Sequence, residues 1–191
     1  METETEGVDL VEGRVVRQFA RAALLAALMG ATAIVAIPIA GIPGTLQPLI
    51  VFLAGIYLGP YWGATSMGLY LAAGIAGAPV FAGWAAGPGV VVGPTGGFLV
   101  TFPVAAFLIG YAIHRGGDLR DPAELSPLYL GGVLLVATAV LYAVGVSWYA
   151  WVVGIELGEA ALAVAAPLIP GDLVKIVVAV AIARSGRIDT V

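Results

Sequence analysis

The sequence predicts an all-α integral membrane protein, a bundle of six transmembrane helices with both termini cytoplasmic. Three observations lead there. Of 191 residues, 61% are hydrophobic and only 10% charged, against about 25% charged in soluble domains. Between Arg21 and Arg115 there is no Asp, Glu, Lys or Arg, and a soluble helix could not continue so far because its outer face must meet water. The arginines are also sorted by side. Arg14, Arg17 and Arg21 precede the first apolar run, Arg115 and Arg120 fall in a polar break, and Arg184 and Arg187 follow the last run. Six crossings put all seven on one face, which the positive-inside rule makes the cytoplasmic one.

Each element follows from this frame. Residues 1–18 form an acidic cytoplasmic tail, whose start "METETEGVDLVE" lacks the basic n-region of a secretory signal. Residues 19–183 form the six-helix, substrate-binding transmembrane domain, and residues 184–191 a second cytoplasmic tail. The first helix is expected over about 19–36, ending before "IPIAGIPG". The second covers about 46–59, and "GPYWG" turns it into a third at about 64–76. A fourth spans about 97–113. After "HRGGDLRDPAELSP" a fifth runs over about 128–153, and a sixth over about 161–183, with Pro167, Pro170 and Gly171 interrupting its first half. Apolar runs of this kind read as membrane spans. Tyr61, Trp62, Tyr111 and Tyr129 then fall at the inner interface, and Trp148, Tyr149 and Trp151 at the outer one. The location is a cell membrane, crossed several times.

Between the third and fourth helices lies "GAPVFAGWAAGPGVVVGPTGGF", residues 77–98. It is punctuated like a loop, with repeated Gly and three Pro, yet carries no charge. On the extracytoplasmic side it reads as a lid folded over an apolar-bodied ligand. Several chemistries are excluded. With no Cys there are no disulfides or thiolate sites, and "GPTGG" lacks the Lys and Ser/Thr of a P-loop, so any ATP would be bound by another chain. The single histidine, His114, is expected as an interfacial residue without co-ligands for a metal. No catalytic residue, cofactor, metal or nucleic-acid contact is expected.

The informative residues are those that cost something in a bilayer. Asp172 and Lys175 stand inside the last apolar run, where each charge costs roughly 2.5–3.5 kcal/mol by insertion scales. Spaced i and i+3, they share a helical face. They are a self-neutralising pair, a Lys snorkelling to the interface, or a ligand site. Pro170 is expected in the first turn of a helix, with free N–H groups around Gly171 facing an outward cavity and favouring an oxygen ligand. Thr45 and Gln47 in "GTLQP" are further ligand candidates, although Thr45 would also serve as an N-cap. Tyr70, mid-helix, is expected either to point its hydroxyl inward or to pack. Thr65 and Ser66 are expected to bond carbonyls of the preceding turn. On the first helix, Ala22, Ala26 and Gly30 repeat at four-residue spacing beside Ala23, Ala27 and Ala31. Small stripes of this kind allow close helix approach, either inside the bundle or against a partner.

The order "TLQP", "GAPVFAG", "GPTGGFL" and "IPGDLVK" resembles the BioY family, the biotin-binding S components of energy-coupling factor (ECF) transporters. The resemblance runs from the first helix to Ile182. It implies a six-helix S-component fold that takes biotin from outside, working with an ECF transmembrane coupling subunit and two cytoplasmic ATPases. It implies that Asp172 and Lys175 bind biotin, with Thr45, Gln47 and the outer loop contributing, and that the alanine motifs of the first helix face the coupling subunit. Asp172 would accept from the ureido N–H groups while Lys175 donates to the ureido carbonyl or a carboxylate. Gly83 and Trp84 stand where some relatives carry a polar residue, so a loop contact is replaced or lost; Trp84 could stack on the bicyclic ring. The competing readings are an S component for another vitamin, an autonomous proton-coupled carrier acting through Asp172 and Lys175, and a ligand-free scaffold.

Overall fold

The protein is seen here as a computed structural model that describes residues 3–39, 42–115 and 118–186. Arg187, the last of the expected cytoplasmic arginines, lies outside them. Among the described residues, five helical runs are long and apolar enough to cross a membrane: Gly13–Ile34, Gln47–Ile75, Gly96–His114, Pro127–Val153 and Leu157–Arg184. The elements are helix α1 (Thr3–Ala31), a two-stranded hairpin of β1 (Ala36–Ile39) and β2 (Ile42–Thr45), then α2 (Gln47–Ile75) and the short α3 (Pro88–Val92). Helices α4 (Gly96–His114), α5 (Pro127–Val153), α6 (Leu157–Ala160) and α7 (Ala166–Arg184) follow.

Helix α2 is not one straight rod. Gly59 has φ 75° and ψ −173°, a region open essentially to glycine alone, and Pro60 follows it. In a straight helix residues 47 and 70 would lie about 34 Å apart. Instead the Gln47 amide donates to the Tyr70 hydroxyl at 2.7 Å, and a Cβ on Gly63 would stand 2.9 Å from the Ala54 carbonyl oxygen. The run therefore doubles back at Gly59 into two antiparallel arms, 47–58 and 60–75, roughly 18 and 24 Å long. The expected turn "GPYWG" is where the reversal occurs. Helix α4 packs into this fold. A Cβ on Gly55 would meet the Ala106 carbonyl oxygen at 2.7 Å, and one on Gly110 would meet Gly59 and Pro60 backbone at 2.4 Å. Only residues without a side chain permit these approaches. The core beside them holds Phe52, Ile56, Met67, Phe102, Ile109, Leu130 and Leu134.

The two ends of the bundle differ. At one, the Gly59 turn meets His114 and Leu119, the Tyr57 hydroxyl donates to the Ile182 carbonyl at 3.2 Å, and Arg184 donates to the Leu125 carbonyl at 3.1 Å. His114 is buried rather than interfacial. Its Nδ1 accepts from the Arg120 amide at 2.9 Å, which leaves Nε2–H to donate to the Ile56 carbonyl, also at 2.9 Å. Arg21, Arg115, Arg120 and Arg184 belong to this closed end. The other end carries the hairpin, residues 77–95, and α6.

Several expected boundaries move. Helix α1 ends at Ala31 rather than Ala36; the chain tightens into a 3-10 turn at Thr32–Ile34, where the Thr32 hydroxyl donates to the Met29 carbonyl at 2.7 Å, and then enters β1. The hairpin was not expected; its register pairs Ala36 with Thr45 and Ile39 with Ile42. Thr65 bonds the Tyr61 carbonyl one turn back at 2.8 Å as expected, whereas Ser66 crosses to the Ala22 carbonyl of α1 at 2.8 Å. The last run is longer than expected and unbroken. It starts at Leu157, passes through a π-helical turn at Ala161–Ala165, and continues as α7 through Pro170. Pro170 is thus inside the helix, with Pro167 in the first turn. The expected helix start at Pro170, with free N–H groups around Gly171, does not form.

Candidate functional site

A cavity of about 260 Å³ opens at the hairpin end, between β2, the start of α2, residues 81–95, the first turns of α4, the middle of α5 and the first half of α7. Its body is apolar, walled by Phe81, Val90, Phe98, Leu99, Phe102, Leu141 and Leu168. Polar side chains enter it from Thr45 and Gln47 on one side and from Tyr142, Asp172 and Lys175 on another, with Thr95 on the loop. Mostly apolar walls with a few placed polar groups are the ordinary form of a small-molecule site.

Local structure aims each group. Thr45 ends β2, and its hydroxyl accepts from the Gln47 amide N–H at 3.2 Å, satisfying a donor that the first turn leaves without an intrahelical partner. The N-cap itself is Leu46, so Thr45 stands one residue before the expected cap position, where it lines the cavity. Gln47 is buried and reaches across the α2 fold to the Tyr70 hydroxyl. Tyr70 itself is buried behind Gln47, edge-on to Phe81 at 5.5 Å, and is not part of the wall. Asp172 and Lys175 stand one turn apart on α7, with Nζ donating to Oδ1 at 2.5 Å. The second carboxylate oxygen, Oδ2, accepts from the Tyr142 hydroxyl of α5 at 2.7 Å. Side-chain exposures of 13% for Lys175 and 10% for Asp172 place the pair at the cavity floor rather than in lipid. Paired and hydrogen-bonded, the charges meet the condition under which burial is tolerated.

The sequence candidates divide. Asp172, Lys175, Gln47 and Thr45 come together around one cavity, and Tyr70 supports Gln47 from behind. Gly171 is beside the site, with its Cβ position 4.0 Å from Lys175 Nζ, but outside the wall. Trp84 is displaced from the place expected for it. It is 54% exposed with φ 64°, and Ala82 and Ala85 line the cavity on either side of it. Tyr142 and Thr95 were missed. Tyr142 had a signal, being a tyrosine in the middle of the fifth span rather than at its end; Thr95 sits in "GPTGG" with none beyond its place in the loop.

The loop over the cavity is anchored at both ends. Phe81 is buried against Gly74, where a Cβ would be 2.2 Å from the ring, and the Gly87 amide donates to the Gly74 carbonyl at 2.8 Å. Further on, the Trp148 indole donates to the Gly93 carbonyl at 2.9 Å. The alanine stripes of α1 also separate. Ala22 is buried, Ala26 packs against the core, and a Cβ on Gly30 would meet Val80 at 2.9 Å, so this stripe faces the protein's own bundle. Ala27 and Ala31 are exposed, with Ala23 half-buried beside them. Among the described residues, no group of three or more metal-ligating side chains gathers.

Known proteins resemble the chain both in sequence pattern and in fold. No curated protein matches it in sequence. A crystal structure of the S-component for biotin from an ECF-type ABC transporter superposes with a TM-score of 0.82 at 28% identity, covering 92% of this chain and 93% of that one. The family model described as the BioY family matches residues 2–189. With nearly the whole sequence matched, and the fold shared with a solved S-component, the chain belongs to the BioY family.

Proposed function

We propose that this chain is the biotin-binding S component of an ECF transporter, a membrane subunit that captures the vitamin from outside the cell and is not itself an enzyme. The observation that carries the reading is the Asp172–Lys175 pair, held with Thr45 and Gln47 around one cavity of mostly apolar wall at the hairpin end. Biotin has the matching parts: an apolar bicyclic body, ureido N–H donors, a polarised ureido carbonyl and a carboxylate. Asp172 accepts from a ureido N–H, and Lys175 has two further N–H donors beyond its ion pair. Gln47 and Thr45 serve the opposite side of the ligand. Family membership and the biotin-named structural relative support the choice of vitamin.

In this reading the two arms of α2 each cross the plasma membrane, giving six crossings with both termini cytoplasmic and the arginine end inside. The arms are short, and the hairpin and residues 77–95 complete the outer thickness. The exposed Ala27 and Ala31, with half-buried Ala23 beside them, meet the ECF coupling subunit, and two cytoplasmic ATPases supply the energy. The closed end favours this over an autonomous carrier. Tyr57, His114 and Arg184 tie the ends of α2, α4 and α7 to one another and to the loop before α5, and passage through the bundle at that end would require those bonds to open. Reorientation of the whole subunit against a partner avoids that cost.

Equilibrium binding of labelled biotin to the purified chain tests the assignment. Saturable binding is expected, weakened at least about tenfold by Asp172→Asn and by Lys175→Ala, the usual scale for losing a charged hydrogen bond. No saturable binding at micromolar biotin would end the biotin reading. Displacement of the label by thiamine or riboflavin would move the chain to another vitamin.

A further inference from the structure

We infer that Tyr142 is a positioning residue of this site, setting the direction in which Asp172 accepts from the ligand. The inference rests on the proposed reading for its ligand, but its structural half does not. Asp172 receives one donor on each oxygen: Lys175 Nζ on Oδ1 and the Tyr142 hydroxyl on Oδ2. The two donors come from different helices, α7 and α5. Lys175 is one turn away on the same helix, and alone it could follow the carboxylate through rotation about its side-chain bonds. The phenol cannot follow. Its ring packs edge-on against Phe98 at 6.0 Å and 87°, and Phe98 is itself lodged on Gly145, where a Cβ would lie 2.4 Å from the ring. A rigid donor on a neighbouring helix therefore pins one oxygen of a carboxylate whose other partner is flexible.

The consequence is chemical. A carboxylate has about four lone-pair sites, and with one taken on each oxygen a limited set of acceptor directions remains for the cavity. The two N–H bonds of a cyclic urea diverge, so one carboxylate takes one of them well and not both. Which direction is left open then decides how such a donor is oriented. Without the phenol, Oδ2 loses its fixed partner, and the carboxylate can rotate about its contact with Lys175. The hydroxyl also adds a donor to a charged group, where hydrogen bonds are strongest. Nothing in this role requires Tyr142 to touch the ligand.

The test is a double-mutant cycle on the full-length purified chain, with an infrared measurement beside it. Tyr142→Phe keeps the ring and its packing on Phe98. Biotin binding is expected to weaken about 10- to 100-fold in this variant, with no comparable further loss when Tyr142→Phe is added to Asp172→Asn, because the phenol acts through the carboxylate. An equal loss in both backgrounds would overturn the proposal and make Tyr142 an independent contact or a packing residue; so would undiminished binding by Tyr142→Phe. In ligand-free protein, the carboxylate stretch identified by difference against Asp172→Asn is expected to shift in Tyr142→Phe. An unshifted band would overturn the proposal without reference to any ligand. A shifted band in a wild-type chain that binds no biotin would end the biotin reading and leave Tyr142 as the residue that positions Asp172.

Discussion

Two donors from two helices meet the Asp172 carboxylate, and the energetics of the pair follow from that. Removing one member of a buried ion pair leaves an uncompensated charge, at a cost of about 3–5 kcal/mol. Replacing both removes the cost of burying either. Asp172→Leu combined with Lys175→Leu is therefore expected to unfold at a temperature at or above that of either single substitution, while binding no ligand; a double variant less stable than both singles would contradict this. Glycines give a second contrast at this scale. Gly110→Ala would drive a methyl to within 2.4 Å of the Gly59 and Pro60 backbone, and is expected to lower stability by about 1–3 kcal/mol, the cost of overpacking. Gly131 meets nothing within 4 Å, and Gly131→Ala should be neutral or stabilise by about 0.5–1 kcal/mol through helix propensity. Thermal unfolding in one detergent separates the two.

Among the elements, the fold of α2 depends on a single backbone position. Gly59→Ala must hold φ 75° and ψ −173° with a side chain, costing about 1–3 kcal/mol, and its Cβ would also meet Leu119 at 2.7 Å. The expected result is a lower unfolding temperature and weaker ligand binding, since the Gln47–Tyr70 bond spans the two arms. The sequence marked this reversal through "GPYWG" and the helix-breaking Gly–Pro pair. It did not mark the hairpin of β1 and β2, whose residues Ala36–Ile39 continue the apolar run before them and look like a helix end. It also misled at Pro170. A proline in a helix interior removes an N–H and crowds the preceding turn, so a start there was reasonable. The chain instead carries the irregularity earlier, as the π-helical turn at Ala161–Ala165, and continues through the proline.

For the molecule as a whole, the two ends make opposite predictions. The chain has no native Cys, so single cysteines report cleanly. Glu124→Cys, beside the arginine end, is expected to react with a membrane-impermeant reagent only from the cytoplasmic side, and Glu156→Cys only from outside. Labelling of both from the same side would refute the six-crossing arrangement. The two faces of α1 are separable in the same way. Ala27→Leu should leave folding and biotin binding intact while weakening co-purification with a coupling subunit, whereas Ala22→Leu should fail at folding, because Ala22 is buried beneath Ser66.

What the sequence determined by itself was the solvent and the price of each residue in it. The uncharged stretch from Arg21 to Arg115 dictated a membrane, the arginines predicted which way the chain faces, and a lone Asp and Lys in an apolar run pointed to the candidate site. These are one-residue costs, and they can be read from a linear string. Tertiary structure decided everything that depends on what lies across from a residue. It turned Ala22, Ala26 and Gly30 inward and left Ala27 and Ala31 exposed, although both stripes have the same spacing. It buried His114 between two backbone partners and moved Trp84 out of the cavity. It also brought Tyr142 to Asp172 from another helix. The angular position of one helix against the next is set by packing at points such as Gly55, Gly110 and Gly145. No local pattern encodes that position, because the residues that meet there are far apart in the chain.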